Sequence, residues 1–194
     1  MQYFRLFLAV ALVFGFALVL IGLPFSASKA QFPPPPGAVL DQAYINVPYE
    51  PQQTLVWCWV ASARMVARYF NRQAPSQCEM LQQQYGAPCC SNPQFCWRGG
   101  YINEIQQLIG NFGLHYSAMG PPTDGYSLLA LFRQGRPVVI HLRQGHFAVA
   151  SGIRVMATPM GPLGVVRVLD PFYGIQDVNL PILYSQWDAG LYVY

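Results

Sequence analysis

Three different rhythms of apolar and polar residues run along this chain, and each predicts a different kind of element. Leu6 to Leu23 is one uncharged apolar run. From Cys58 to Phe70 there is no Gly or Pro, and Ala61, Met65 and Tyr69 recur at a spacing of four. That spacing predicts an amphipathic helix starting near Trp57. A second helix is expected from Tyr101 to Ile109, stopped by Gly110, and a short third one from Ser127 to Gln134, ending at Gly135. The last third changes character. Pro137 to Leu142, His146 to Ile153, Gly164 to Leu169 and Leu191 to Tyr194 are rich in Val, Ile and Leu and bounded by Gly and Pro, which reads as successive strands. Tyr44 to Tyr49 looks extended, since Pro48 and Pro51 hold the chain out of helix. The stretch holding Cys78, Cys89, Cys90 and Cys96 reads as loop. Helices first and antiparallel strands afterward imply an α+β domain.

The first rhythm concerns targeting rather than fold. Arg5 precedes the apolar run, and small residues follow it in Ala27-Ser28-Lys29-Ala30, with Ser28 and Ala30 where a signal peptidase needs them. Residues 1–30 are therefore expected to be a signal peptide or, because the run is long enough to span a bilayer, an N-terminal anchor. Membrane attachment is expected only through residues 6–23. Either alternative carries the rest of the chain out of the cytoplasm, to the periplasm, the medium or the outer face of the membrane. Residues 31–38, with four consecutive prolines, read as an extended spacer, and 39–194 as one globular domain.

Charge excludes one class of partner. Of eleven Lys and Arg, Arg5 and Lys29 fall in the leader, leaving nine Arg against eight Asp and Glu. This near balance gives no footprint for nucleic acid. Nothing in the sequence indicates a metal or an organic cofactor.

Cysteine arithmetic isolates one thiol. An exported chain meets an oxidising compartment, where cysteines pair, and five is an odd number. Cys78, Cys89, Cys90 and Cys96 crowd together and are expected to form two disulfides, with a direct Cys89-Cys90 bridge the least favoured of the possible pairings. Zinc on these four is the competing reading, but they lack paired C-x-x-C spacing. Cys58 is left free at a helix start, where unpaired backbone N–H groups and the helix dipole favour a thiolate. A thiolate acting on carbonyl carbon needs an imidazole, a group that orients the imidazole, and donors for the oxyanion. His146, after Gly145 and at the opening of a predicted strand, is the candidate imidazole. His141, inside Val138-Val139-Ile140, reads as a core or edge residue. Asp170 ends a strand before Pro171 and is either the orienting carboxylate or the start of a turn, with Asp177 and Asn179 as fallbacks. Gln52, six residues before Cys58, is the candidate oxyanion donor, with Gln53 as its competitor.

Val47-Pro48-Tyr49-Glu50-Pro51-Gln52 followed by Trp57-Cys58-Trp59-Val60-Ala61 resembles the N-terminal motif of bacterial papain-like cysteine peptidases, a group that includes plant-pathogen effector proteases and relatives of bacteriocin-leader peptidases. Gly145-His146-Phe147-Ala148-Val149 and Asp170-Pro171 follow in the same order, so the resemblance runs from Val47 to about Gly174. It implies a papain-like cysteine proteinase fold, with the nucleophile at a helix start in an N-terminal helical part and His and Asp on a C-terminal antiparallel sheet. It implies Cys58 as nucleophile, His146 as general base and acid, Asp170 as its orienting group and Gln52 as oxyanion donor, acting on a peptide or protein substrate. Acyl transfer or glutamine deamidation by the same residues, and a non-catalytic binding module of the same fold, are the alternative functions.

Overall fold

The computed structural model describes residues 33–194. The expected leader, 1–30, and spacer residues 31 and 32 lie outside the described residues. Spacer residues 33–36 are exposed. The Gly37 N–H then donates to the Ala157 carbonyl at 2.8 Å, fastening the chain where the domain begins.

The elements in chain order are β1 Val39–Tyr44, α1 Cys58–Tyr69, α2 Gln77–Tyr85, α3 Ile102–Asn111, β2 Tyr116–Met119, α4 Gly125–Arg133, β3 Val138–Leu142, β4 His146–Met156, β5 Leu163–Asp170, β6 Gly174–Asn179, α5 Leu180–Gln186 and β7 Trp187–Val193. The strands form one antiparallel sheet in the order β2-β7-β3-β4-β5-β6. The long strand β4 pairs with β3 along Leu142↔His146 to Val138↔Ala150 and with β1 along Tyr44↔Gly152 to Val39↔Met156, so both lie on the same side of it.

Two buried clusters, one on each face, hold helices against this sheet. Val139, Phe147, Val149, Leu169 and Leu191 belong to the cluster that contains α1, α2 and α3 side chains. Ala148, Ala150, Val166 and Val168 belong to the other, with Leu128, Leu129, Phe132 and Leu183 of α4 and α5. The split follows the two-residue period of a strand. Helix α1 is buried on nearly every side, from Cys58 through Ala63 and again at Met65, Val66 and Ala67. It runs between the sheet and α2 and α3, which is why its apolar stripe is wider than a spacing of four predicts.

Several elements depart from the sequence expectation. The cysteine-rich stretch contains α2, whose start is fixed by a reciprocal cap: the Glu79 N–H reaches the Ser76 hydroxyl, and the Ser76 N–H donates to the Glu79 carboxylate. Gly110 does not stop α3, which runs on to Asn111; the chain turns at Gly113, with φ +68. The first strand is Val39–Tyr44, whereas Ile45 to Glu50 runs without a strand ladder. Strands β2 and β6 and helix α5 were not expected. Both strands are short, half-exposed edges that carry little hydrophobic signal. Among the described residues, no helix is long and apolar enough to cross a membrane.

Candidate active site

Cys58 is the first residue of α1, and its side chain is buried. The helices α2, α3 and α4 each carry a carboxylate at their start, Glu79, Glu104 and Asp124. Helix α1 has no acidic residue in its first turn and no capping side chain at Trp57. Its first N–H groups therefore meet no competing anion, and the positive end of its dipole faces the thiol. The other four cysteines are bridged as Cys78–Cys90 and Cys89–Cys96, so among the described residues Cys58 is the free one. The bridged loop supports the helix start directly: the Trp57 indole Nε1–H donates to the Cys96 carbonyl at 2.9 Å, in a buried bond.

His146 opens β4 immediately after Gly145, whose φ of +79 closes the turn from β3. Such a φ is strained for any residue with a Cβ. Extending the β4–β5 register from Val149↔Leu169 sets Ala148 opposite Asp170. His146 lies two residues further on the same face, a diagonal neighbour of Asp170 within reach of a long side chain. The contact is made: His146 Nε2–H donates to Asp170 Oδ1 at 2.9 Å. Cys58 also bears on the ring, raising its pKa, and since Nε2 is engaged by Asp170, Nδ1 is the nitrogen left for a thiol. Burial works against a charged imidazole here. The hydrogen bond to Asp170 and the negative charge of Asp170 and Cys58 outweigh it, and the pKa of His146 is raised from 6.5 to about 9.

Asp170 makes contacts that fit both readings open in the sequence. The same Oδ1 accepts the N–H groups of Phe172 at 2.8 Å and Tyr173 at 3.0 Å, so the residue begins a turn as well as bonding to His146. Burial raises the Asp170 pKa, but the bond from His146 and the two backbone N–H groups override that and leave it lowered. The fallback Asp177 is engaged elsewhere, with Arg154 and Arg167 at 3.3 Å. Asn179 is the residue before α5. His141 contacts Asp188 at the sheet's other side, and His115 pairs through its backbone with Tyr194.

Gln52 reaches the same place through its backbone. Its N–H donates to the Pro171 carbonyl at 3.0 Å, next to Asp170, and its Nε2 donates to the Thr54 carbonyl at 2.7 Å. A primary amide has two N–H groups, so one remains for another acceptor. Gln53 is exposed, and its backbone N–H is held by the buried Gln77 side chain at 2.9 Å. A cavity of about 600 Å³ has Gln52, His146 and Asp170 in its wall. A second, of about 400 Å³, is reached past Gln52, Leu55 and Phe172, which line both, and is bounded by Trp97. A separate cavity of about 480 Å³, between α4, β5 and α5, touches none of these residues. Glu50, Arg64 and Gln77, which brace the Gln52 segment, escaped the sequence reading. Only the Ser76-x-x-Glu79 cap signalled that Gln77 would sit in a helix.

A sequence model of the family described as papain-like cysteine protease AvrRpt2 matches residues 41–182, a span holding all four site residues. No curated protein matches the chain significantly by sequence. Among solved structures, a double-glycine-motif protease from an AMS/PCAT transporter in complex with the leader peptide aligns with TM-score 0.52 at 18% identity, covering 78% of this chain and 94% of that one. The peptidase domain of Streptococcus ComA aligns with TM-score 0.51 at 14% identity, over 76% and 98% of the two chains. UfSP from C. elegans aligns with TM-score 0.54 at 16% identity, over 85% of this chain and 35% of that longer one. At these identities the three share the fold.

Proposed function

Since this chain belongs to the family of papain-like cysteine proteases described by AvrRpt2, we propose that it hydrolyses peptide bonds through an acyl-enzyme on Cys58. The observation that carries this reading is the placement of one imidazole between the free thiol at the start of α1 and a buried carboxylate. With the His146 pKa near 9, the ring holds its proton at neutral pH beside the thiol. The Cys58 sulfur attacks the peptide carbonyl, and the carbonyl oxygen takes the negative charge. The Cys58 backbone N–H and the free Nε2–H of Gln52 are the donors for that oxyanion. His146 then gives its Nδ1 proton to the leaving amine, the C–N bond breaks, and a thioester remains on Cys58. Water, deprotonated by the now neutral His146, attacks the thioester and releases the acid and the thiolate. Asp170 keeps the ring aimed throughout.

A peptide or protein substrate suits two cavities that share Gln52, Leu55 and Phe172, since an extended chain crossing that shared wall passes the oxyanion donor. The two disulfides favour work outside the cytoplasm, in keeping with the export leader proposed for residues 1–30 ahead of a spacer and a single peptidase domain.

Mass spectrometry of a peptide library incubated with the full-length protein tests this. New peptide termini that appear with the wild type and vanish with Cys58→Ala are expected. Deamidated or cross-linked products without new termini would replace hydrolysis by the alternative chemistries, and an unchanged library would leave a binding module.

A further inference from the structure

We infer that Gln77, at the start of α2, is a positioning residue for the proposed oxyanion donor Gln52. The inference rests on the reading of Gln52 given above. The Gln52 side chain is itself lightly held. Its Nε2 has the one bond to the Thr54 carbonyl, and its Oε1 is buried without a partner among the described residues. Where the free N–H of this amide points therefore depends on the backbone to either side. Gln77 grips that backbone on both flanks. Its Nε2 donates to the Pro51 carbonyl at 2.8 Å, and its Oε1 accepts the Gln53 N–H at 2.9 Å.

The amide of Gln77 has a single workable orientation. Its Nε2 also donates to Glu50 Oε1 at 2.8 Å, so rotating the amide would set its oxygen against a carboxylate and a carbonyl, two acceptors, and its nitrogen against an N–H. Glu50 is fixed in turn by Arg64 and Arg68 of α1. Gln77 is fully buried and Glu50 nearly so, in surroundings where an unpaired polar group is costly and a satisfied network is rigid. The segment bearing the oxyanion donor is thereby braced against the helix bearing the nucleophile through Glu50, and against α2 through Gln77. Catalysis depends on such alignment steeply: a misplacement of about 1 Å costs on the order of 100-fold.

The test is a double-mutant cycle on the full-length protein, using an internally quenched peptide chosen from the library digest and rates normalised to the Cys58 thiol titrated with iodoacetamide. Circular dichroism of each variant at the assay temperature corrects for any unfolded fraction, whose thiol iodoacetamide also alkylates. Gln77→Met preserves side-chain volume and deletes all three bonds. It is expected to lower kcat by about 10- to 100-fold, with KM and the rate of Cys58 alkylation unchanged, because alkylation forms no oxyanion. Gln52→Ala is expected to lower kcat by about 100- to 1,000-fold, and the double variant to equal Gln52→Ala alone. Gln77→Glu, which keeps the acceptor for the Gln53 N–H but sets an oxygen against the Glu50 carboxylate and the Pro51 carbonyl, is expected to lose at least as much as Gln77→Met. If Gln52→Ala leaves kcat intact, the oxyanion assignment fails and this inference with it. If Gln52→Ala lowers kcat but Gln77→Met does not, or the two losses multiply, the positioning role alone is overturned.

Discussion

The sheet carries two imidazole–carboxylate pairs whose imidazoles stand a few residues apart on one hairpin. His146 meets Asp170 at 2.9 Å, and His141 meets Asp188 at 3.2 Å. By distance they are close to equivalent, yet their surroundings differ at every other point. The Asp170 side chain is 9% exposed and takes two further backbone N–H bonds, whereas that of Asp188 is 58% exposed. Cys58 bears on the His146 ring and raises its pKa. The His141 ring lies against Phe147, with centroids 4.6 Å apart. A solvent-facing pair of this kind contributes little, since water screens it. Burial of the carboxylate and a nucleophile bearing on the ring, rather than the contact itself, separate a proposed catalytic pair from a surface one.

The largest effects that would sharpen this contrast come from the thiol side. Cys58→Ala and His146→Ala are each expected to lower kcat/KM by about 10,000-fold or more while leaving the far-ultraviolet circular dichroism native. Loss of the native spectrum in Cys58→Ala would mark a structural thiol instead.

Next comes Asp170→Asn, expected to cost on the order of 100- to 10,000-fold in kcat/KM and to move the alkaline limb of the pH–rate profile. In the wild type that limb should fall as pH rises through about 9, where the imidazolium loses its proton. Removing the Asp170 charge takes away one of the causes that raise the His146 pKa, so the limb should move to lower pH. A limb that stays in place would detach Asp170 from the titration of His146.

Stability gives a smaller effect with a defined sign. The folded pKa of His146 lies above its ordinary 6.5, so its protonated form stabilises the fold fully below about 6.5, and this contribution is lost as pH rises through about 9. Asp170 is lowered, so its contribution is present above the ordinary carboxylate pKa and is lost as acid takes the pH down through its folded value. Thermal melts across pH should show both losses in the wild type and neither of these two contributions in the His146→Ala, Asp170→Ala double variant.

The smallest effect is expected on the other pair. His141→Ala or Asp188→Ala should change kcat/KM by less than about threefold, in line with surface substitutions. A loss approaching that of His146→Ala would erase the distinction between the pairs.

What the sequence made legible follows from the range of the interactions involved. Helix α1 and strands β3, β4 and β5 were readable because their apolar periods are local and strong. Gln52, Cys58, His146 and Asp170 could be singled out as candidates because each stands at a punctuated position, after Pro51, at a helix start, after Gly145 and before Pro171, and because the resemblance has them in that order. Strand β1 was displaced by several residues because its burial is weak and its place is set by pairing with the far half of β4. Helix α2 was hidden by its cysteines and glutamines, although Ser76 and Glu79 spelled out its cap. Gly110 misled because a glycine with no atom near its missing Cβ is tolerated in the last turn of a helix. The disulfide pairing and the Glu50, Arg64 and Gln77 brace could not be read at all. They join side chains distant in sequence through bonds that leave no periodic trace.

Activation of Cys58 by His146 is read most directly from the rate of Cys58 alkylation by iodoacetamide against pH, followed by mass spectrometry in wild type and His146→Ala. The prediction is selective labelling of Cys58 in the wild type that is fast at neutral pH, and in His146→Ala a slow reaction that rises only at alkaline pH. Equal rates and equal pH profiles in the two proteins would contradict it.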